Sequence, residues 1–557
     1  MKDIRNFGGM VVLAVLMSCG KGKTVTPVTP VTPTPASFSF NALKVNGVFN
    51  GYNYTNINSK PVIKISFSAP VDHSSVTTSV NIRSKDGAAG TYAASYENSD
   101  STVVLTPSGL QPITQYSLSV STGLQSKAKG SLQSEIDVQI TTAIDSTNKF
   151  PVITDDQLLD LVEKQTLKYF WEFGHPTSGL ARERNTSGDV VTTGGSGFGI
   201  MAIVAGVSRN FVSRADGLAR MQKIVSFLKN TAQTFHGAYP HWMNGATGAV
   251  VPFSAQDDGA DLVETSYLMQ GLLTARQYFN GAGTDESNLR ADINTIWNKV
   301  EWDWFRQGNQ DVLYWHWSPN NGWAINMKIN GWDEALITYV MAASSTTHPI
   351  PKAVYDNGWA LNGGIRNGAS YFGVTLPLGP AQGGPLFFSQ YSFMGINPNG
   401  LTDAYASYDV QNKAHATINY NYCVANPKGY SGYSADCWGL TASDIKGGYT
   451  ASSPTNDVGV IAPTAAIASL PYTPAQSMKA LKFFYYKLGD KTWGQYGFYD
   501  AFNLTDVWFA DSYLAIDQGP IIVMTENYRS GLLWNLFMSC PEVKTGMKGL
   551  GFTSPKL

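Results

Sequence analysis

The sequence predicts an all-α toroid of paired helices preceded by a small all-β sandwich, and three observations carry that expectation. Between Ser37 and Asp145 short segments alternate apolar and polar residues with period two, broken by turn residues. From Lys149 onward the apolar period becomes helical. Within that helical part, amphipathic segments alternate with segments apolar on every side, as two nested rings require: inner helices touch neighbours all round and outer ones meet water.

The chain begins with a processing signal. Lys2 and Arg5 precede the apolar run Met10–Met17, which is too short to span a bilayer. The run ends in Leu16-Met-Ser-Cys19, which resembles the bacterial lipobox, so residues 1–19 are expected to be a lipoprotein signal with Cys19 as the lipidated residue. That places the protein in the cell envelope, facing the periplasm or the outer surface, with its only membrane contact through the lipid. Residues 20–36, rich in Pro and Thr, are expected to be an extended spacer.

Residues 37–145 then read as an immunoglobulin-like sandwich, with strands at Val62–Phe67, Ser101–Thr106, Gln115–Val120 and Ile136–Thr141. This part has no clustered carboxylates, His or Cys and is assigned no chemistry; a spacer is the better reading, with glycan binding as the alternative.

Residues 149–557 form the helical part. Asp155–Phe170 has an acidic start and one apolar face, and Ala215–Thr231 and Leu289–Phe305 are similar. Gly197–Val207, Gly259–Leu273, Ala335–Ala343 and Gly519–Gly531 are apolar nearly throughout and enter from glycine or acidic residues. From Ala353 to Thr473 the regular pattern thins, and this stretch is expected to supply loops over the toroid mouth.

Composition narrows the partners. Net charge is −2 and charged residues are 14%, with no basic run in the folded part, which disfavours nucleic acid. Aromatic residues are 12%, including 14 Trp and 28 Tyr, and such rings stack on the C–H faces of sugars. Cys423, Cys437 and Cys540 fit no zinc pattern; Cys423 and Cys437 could close a loop or all three could be free thiols.

Carboxylates are the candidate catalysts. Asp257, Asp258, Asp261 and Glu264 stand at one apolar helix entrance, and if helical, Asp257, Asp261 and Glu264 share a face. Asp333 and Glu334 head a second entrance, and Asp511 and Asp517 a third, with Glu526 inside it. Glycoside cleavage needs one neutral carboxyl to protonate the leaving oxygen and one ionised carboxyl to activate water or attack carbon. The helix dipole favours ionisation, whereas packing against an indole such as Trp332 opposes it. Glu334 is therefore the candidate proton donor, with Asp257, Asp261 and Asp517 suited to the ionised role. Any one of these acids could equally be a helix cap, worth about 1 kcal/mol.

Other chemistries have little support: the sequence has seven His, no His-Glu-x-x-His run and no Gly-x-Ser-x-Gly elbow. Gly194-Gly-Ser-Gly-Phe-Gly199 lacks the lysine of a phosphate loop and reads as a place where helices, or a sugar, approach closely. Arg182-Glu-Arg184 either orients hydroxyls or bridges helices.

The ordered motifs Leu180–Asn185, Gly197–Gly199, Asp333–Leu336, Gln390–Ser392, Trp438–Ser443, Tyr496–Phe502, Ile516–Pro520 and Glu526–Gly531 resemble the bacterial glucoamylase-like family. Within it the chain is similar to glycoside hydrolase family 144. The resemblance covers the helical part and implies an (α/α)6 barrel and inverting hydrolysis of β-1,2-glucan to sophoro-oligosaccharides or sophorose, without metal or organic cofactor. It implies Glu334, Asp257 and Asp261 at the family's acidic positions. Arg182, Arg184, Tyr391, Gln518 and Arg529 are expected to contact substrate, with Trp242, Trp323, Trp332 and Trp438 as sugar platforms. The rival expectations are another glucan linkage, or a surface lipoprotein that binds glycan without cleaving it.

Overall fold

The structure is a computed structural model that describes residues 37–557. The processing signal, Cys19 and the Pro/Thr spacer lie outside the described residues.

Two four-stranded sheets face each other in the N-terminal part. Strands β1 (Phe40–Val45), β3 (Ile63–Phe67), β6 (Thr102–Ser108) and β5 (Thr91–Glu97) form one sheet in the order β1-β3-β6-β5. The other has the order β2-β8-β7-β4, built from β2 (Asn53–Ile57), β4 (Val80–Ser84), β7 (Gln115–Val120) and β8 (Ile136–Thr142). Neighbouring strands are antiparallel except β2 with β8. The period-two pattern explains the core: Ile63, Ile65 and Phe67 of β3 and Leu118 and Val120 of β7 point between the sheets. A short helix α1 (His73–Ser79), capped by Asp72, leads into β4. Ile113 packs into the helical part's core, and the Gln115 side-chain amide donates to Thr505 O at 3.4 Å, tying the two parts together.

The helical part opens with α2 (Asp155–Trp171), whose entrance is a capping box between Thr154 and Gln157. It continues through α3 (Thr193–Ser208), α4 (Arg214–Asn230), α5 (Leu262–Tyr278), α6 (Thr284–Asn298) and α7 (Leu336–Ser344). Then follow α8 (Tyr408–Ala425), α9 (Pro463–Ile467), α10 (Pro474–Tyr486), α11 (Ala515–Arg529) and α12 (Pro541–Leu550). Helix α3 packs between α5 and α11, and α5 also packs against α7. Helices α2, α4, α6 and α10 lie outside this set; α2, α4 and α6 each bury one face. Glycines set the closest approach. A Cβ on Gly197 would sit 2.2 Å from Tyr267 O, and one on Gly271 would sit 2.3 Å from Gly197 O, so α3 and α5 touch backbone to backbone.

Helix α8 corrects the expectation that residues 353–473 are loops alone. Its buried face interleaves Gln411, Asn412, His415 and Asn419 with apolar residues, which blurs the apolar period. The Gln411 side chain accepts from Leu378 N at 2.8 Å, His415 Nε2 lies 3.0 Å from Gly384 O, and the Asn419 amide donates to Leu440 O at 3.1 Å. The helix thereby supplies hydrogen bonds that the surrounding loops need. All three described cysteines are free and buried, which resolves the open alternative for Cys423 and Cys437 against a disulfide.

Candidate active site

The entrances of α5, α7 and α11 each carry acids, and each holds them by a different local device. Asp261 is the N-cap of α5, and its Oδ1 accepts from Glu264 N at 2.9 Å. Asp257 lies in the preceding loop, so the expected common helical face of Asp257, Asp261 and Glu264 is not formed. A histidine gathers the two aspartates instead: His316 Nε2 lies 3.3 Å from Asp257 Oδ2 and 3.5 Å from Asp261 Oδ2. His241 Nδ1 stands 2.9 Å from the same Asp261 oxygen.

Asp261 is 0% exposed and both its oxygens are engaged, so it acts through its neighbours and has no free face for a sugar. Burial alone would raise its pKa, but the bonds from His241 and His316 outweigh burial and hold it well below the usual carboxylate range. The imidazoles respond in kind. Burial opposes their charge, yet Glu264 and Asp261 carry His241 up to about 9, and Asp257 and Asp261 carry His316 up to about 10. At neutral pH both imidazoles are therefore protonated beside the ionised Asp261.

Glu264, on the first turn of α5, accepts from Gly194 N at 2.7 Å at the entrance of α3. A Cβ at Gly194 would lie 2.6 Å from that oxygen, so the glycine-rich run permits this approach. Burial raises the Glu264 pKa, and the Asp261 charge adds to the rise.

Glu334 stands one residue ahead of Ala335, the N-cap of α7. Its backbone carbonyl is pinned by the hydroxyls of Tyr267, at 3.2 Å, and Ser392. Its carboxyl is half-buried and is pushed up to about 7 by burial and by the Glu264 and Asp261 charges. Asp333 turns back to accept from Ala335 N at 2.8 Å, and burial and the Glu334 charge raise it too.

A second group of acids surrounds the entrance of α11. Asp517 and Asp500 are both buried, and each keeps one side-chain oxygen without a hydrogen-bond partner in the protein. Burial and the Asp500 charge push Asp517 well up, and burial and the Asp444 charge push Asp500 up to about 7. Asp517 therefore departs from the ionised state expected of it, because a low-dielectric site cannot hold two adjacent carboxylate charges. Asp500 accepts from Asp444 N at 2.6 Å, and Asp444 accepts both a 2.6 Å bond from Ser512 Oγ and bonds from Arg184. Tyr391 joins the two groups of acids: burial and the charges of Asp517, Glu334 and Glu264 all raise its phenol.

The remaining expected contacts divide. Arg184 stands in the second acid group, bridging Asp444 and Glu183. Arg182 ties loops, donating to Gly188 O at 2.8 Å and Phe173 O at 3.0 Å. Trp242 is half-buried against Phe253, and half-buried Trp323 lies beside Tyr314, so both keep some open surface. Tyr391 is packed among Phe198, Tyr267 and Phe387. Gln518 is buried and donates to Phe498 O at 2.9 Å, leaving its side-chain oxygen without a protein partner.

Three expectations are corrected. Trp438 is 0% exposed and its indole N–H faces Gln476 O, so no sugar can stack on it. Trp332 is buried between Phe393 and Tyr408 and against Gly379, and is core. Arg529 ends α11, at the opposite end of that helix from Asp517, where it pairs with Glu163 and Asp160 at 2.5 and 2.6 Å. Sequence reasoning missed His241, His316 and Asp500. One signal was present for the histidines: the dipeptide His-Trp occurs at both His241-Trp242 and His316-Trp317.

The helical part, with its glycine-mediated helix contacts and oppositely tuned carboxyls, is similar to domains of the glucoamylase type. Residues 326–541 match the family described as "Putative glucoamylase", and residues 41–142 match the bacterial Ig-like domain family. A protein of Bacteroides uniformis with the same glucoamylase description is 56% identical, with a TM-score of 0.72, covering 73% of this chain and 100% of its own. An endo-β-1,2-glucanase of Chitinophaga pinensis, solved with sophorotriose and glucose, is 51% identical with a TM-score of 0.71, covering 73% of this chain and 100% of its own. An exo-β-1,2-glucooligosaccharide sophorohydrolase (non-reducing end) of Parabacteroides distasonis is 47% identical over 426 residues, which are 72% of this chain and 59% of that relative. The chain therefore spans less than two thirds of the length of that relative. The chain belongs to the bacterial glucoamylase-like family and, within it, to glycoside hydrolase family 144.

Proposed function

We propose that this protein is an inverting glycoside hydrolase that cleaves β-1,2-glucan to sophoro-oligosaccharides or sophorose. The observation that carries the reading is the opposed tuning of neighbouring carboxyls: Glu334 is pushed up to about 7 while two imidazoliums hold Asp261 ionised beside it. A carboxyl kept neutral at working pH can protonate the departing glycosidic oxygen. Burial and the Glu264 and Asp261 charges keep the Glu334 proton in place, and Asp257 is held to Asp261 through His316. Asp500, the less strongly raised of the two acids at the entrance of α11, receives the proton of the attacking water on the other side of the sugar, with Asp517 beside it. Arg184 orients that pair through Asp444. Trp242 and Trp323 offer ring faces to glucose units at the rim.

The helical part is proposed to be an (α/α)6 barrel, with α3, α5, α7, residues 386–394, α9 and α11 as its inner ring. Support comes from the packing of α3 between α5 and α11, of α5 on α7, and of α9 on α11. The same reading has Cys19 lipidated and the protein held in the cell envelope, with the sandwich and the Pro/Thr segment spacing the mouth from the membrane. Incubation with linear β-1,2-glucan, laminarin and starch, followed by measurement of new reducing ends, tests the linkage. Release from β-1,2-glucan alone is expected; release from starch alone, or no release from any, overturns the proposal.

A further inference from the structure

Beside the acids of the mouth lies an aromatic ledge that the reaction does not use. Its outermost ring is Trp304, on the 3-10 turn Trp302–Arg306, and it is 41% exposed although Trp302, two residues earlier, is fully buried. The Trp304 ring stacks on the His236 imidazole at 3.9 Å and 15°. Trp317 meets both rings edge-on, 5.0 Å from His236 and 6.4 Å from Trp304, and Trp323 flanks Trp304 at 6.3 Å.

The stack is held from beneath. His236 has a φ of +51°, a left-handed conformation that a histidine adopts only when its surroundings impose it. The imposing contacts are visible: Glu301 N donates to His236 O at 3.0 Å, and Gly237 passes so close to Lys299 that a Cβ would sit 1.9 Å from its carbonyl oxygen. Glu301 Oε2 also holds His236 Nδ1 at 2.8 Å, fixing the imidazole parallel to the indole. A left-handed backbone held by its neighbours and a side-chain hydrogen bond thus keep the ring pair rigid at a surface where burial gives it little support.

The ledge is continuous with the mouth. Trp317 follows His316, whose imidazole touches Asp257 and Asp261, and the two residues pair with Ala260 and Asp261 across a short antiparallel bridge. We infer that Trp304, with His236 and Trp317, is a distal binding site for further glucose units of the glucan whose linkage is cut at Glu334. A rigid indole face suits the C–H face of a pyranose, and the half-exposed Glu301 carboxylate beside it can accept bonds from sugar hydroxyls. Because the ring pair is already ordered, little conformational entropy is lost when a sugar settles on it. This inference rests on the proposed function and adds to it a preference for long chains.

The test compares KM for polymeric β-1,2-glucan with KM for the shortest oligosaccharide that the wild type cleaves, in Trp304→Ala and Trp304→Phe. The ratio of the two KM values is expected to rise roughly three- to tenfold in Trp304→Ala. Trp304→Phe, which keeps a ring on His236, is expected to restore most of it. An unchanged ratio in Trp304→Ala, or equal losses on both substrates, overturns the ledge while leaving the proposed function standing. Should the wild type cleave neither substrate, the proposed function fails. Retardation of wild type and Trp304→Ala in gels containing β-1,2-glucan then decides the ledge alone, and equal retardation overturns it.

Discussion

Replacing Glu334 by Gln removes one proton while keeping the side chain's shape, and two separate consequences follow. Glu334 rises from an ordinary 4.5 to about 7 because of burial and the charges of Glu264 and Asp261. Each unit is worth 1.36 kcal/mol, so ionising it in the folded protein costs on the order of 3 kcal/mol, reduced toward about 2 by the carboxyl's partial contact with water. Since the folded pKa lies above the unfolded one, the stability from the protonated form is complete below about pH 4.5 and is lost as pH rises through 7. Wild type should therefore lose about 2 kcal/mol from this group between pH 5 and 8, and Glu334→Gln should lose none. Thermal melts of both proteins across that range read the difference. Loss of a general acid should lower kcat by roughly 10²- to 10⁴-fold, and wild-type activity should fall on the alkaline side as Glu334 ionises. A variant retaining kcat within threefold of wild type, or melting curves that move in parallel with pH, would refute the reasoning.

Four further outcomes follow from the same geometry. His241→Asn leaves the buried Asp261 charge with His316 alone and should cost about 2 kcal/mol, measured by chemical denaturation near pH 7. The raised pKa values of His241, about 9, and His316, about 10, mean that their contribution is complete below about 6.5 and is lost toward pH 10, so the wild-type Tm should fall over that interval and less steeply in His316→Gln. Gly197→Ala drives a methyl into the Tyr267 backbone and should cost about 3 kcal/mol or abolish soluble expression, whereas Gly283→Ala, where a Cβ meets nothing within 4 Å, should stay within about 0.5 kcal/mol. Trp438→Phe should lower stability by about 1–3 kcal/mol with KM unchanged, because that indole is in the core; a raised KM with unchanged Tm would restore it as a sugar platform.

Much of the frame was legible because its causes are local. Period-two runs give the sandwich strands, and all-apolar runs behind glycine or acidic entrances give α3, α5, α7 and α11. The placement of Asp261 and Glu264 at the entrance of α5 and of Glu334 just ahead of α7 was also legible, since acidic residues precede these apolar runs. Helix α8 was hidden because its buried face serves loop backbones through Gln411, His415 and Asn419. The histidine pair was hidden because it is assembled across a β-bridge between distant segments, which leaves no spacing to read. Asp500 lay inside a quoted motif, yet its role depends on Asp517 reaching it from another entrance. The aromatic assignments failed at Trp332 and Trp438 because composition reports how many rings exist, whereas burial decides which of them a sugar can reach.

The most direct measurement is ¹H NMR of β-1,2-glucan hydrolysis in its first minutes, before the new reducing ends mutarotate. If Glu334 protonates the leaving oxygen while water enters from the opposite side, the α-anomer appears first and the β-anomer follows by slow equilibration. Early appearance of the β-anomer would contradict that account, and an unchanged spectrum would remove the substrate itself.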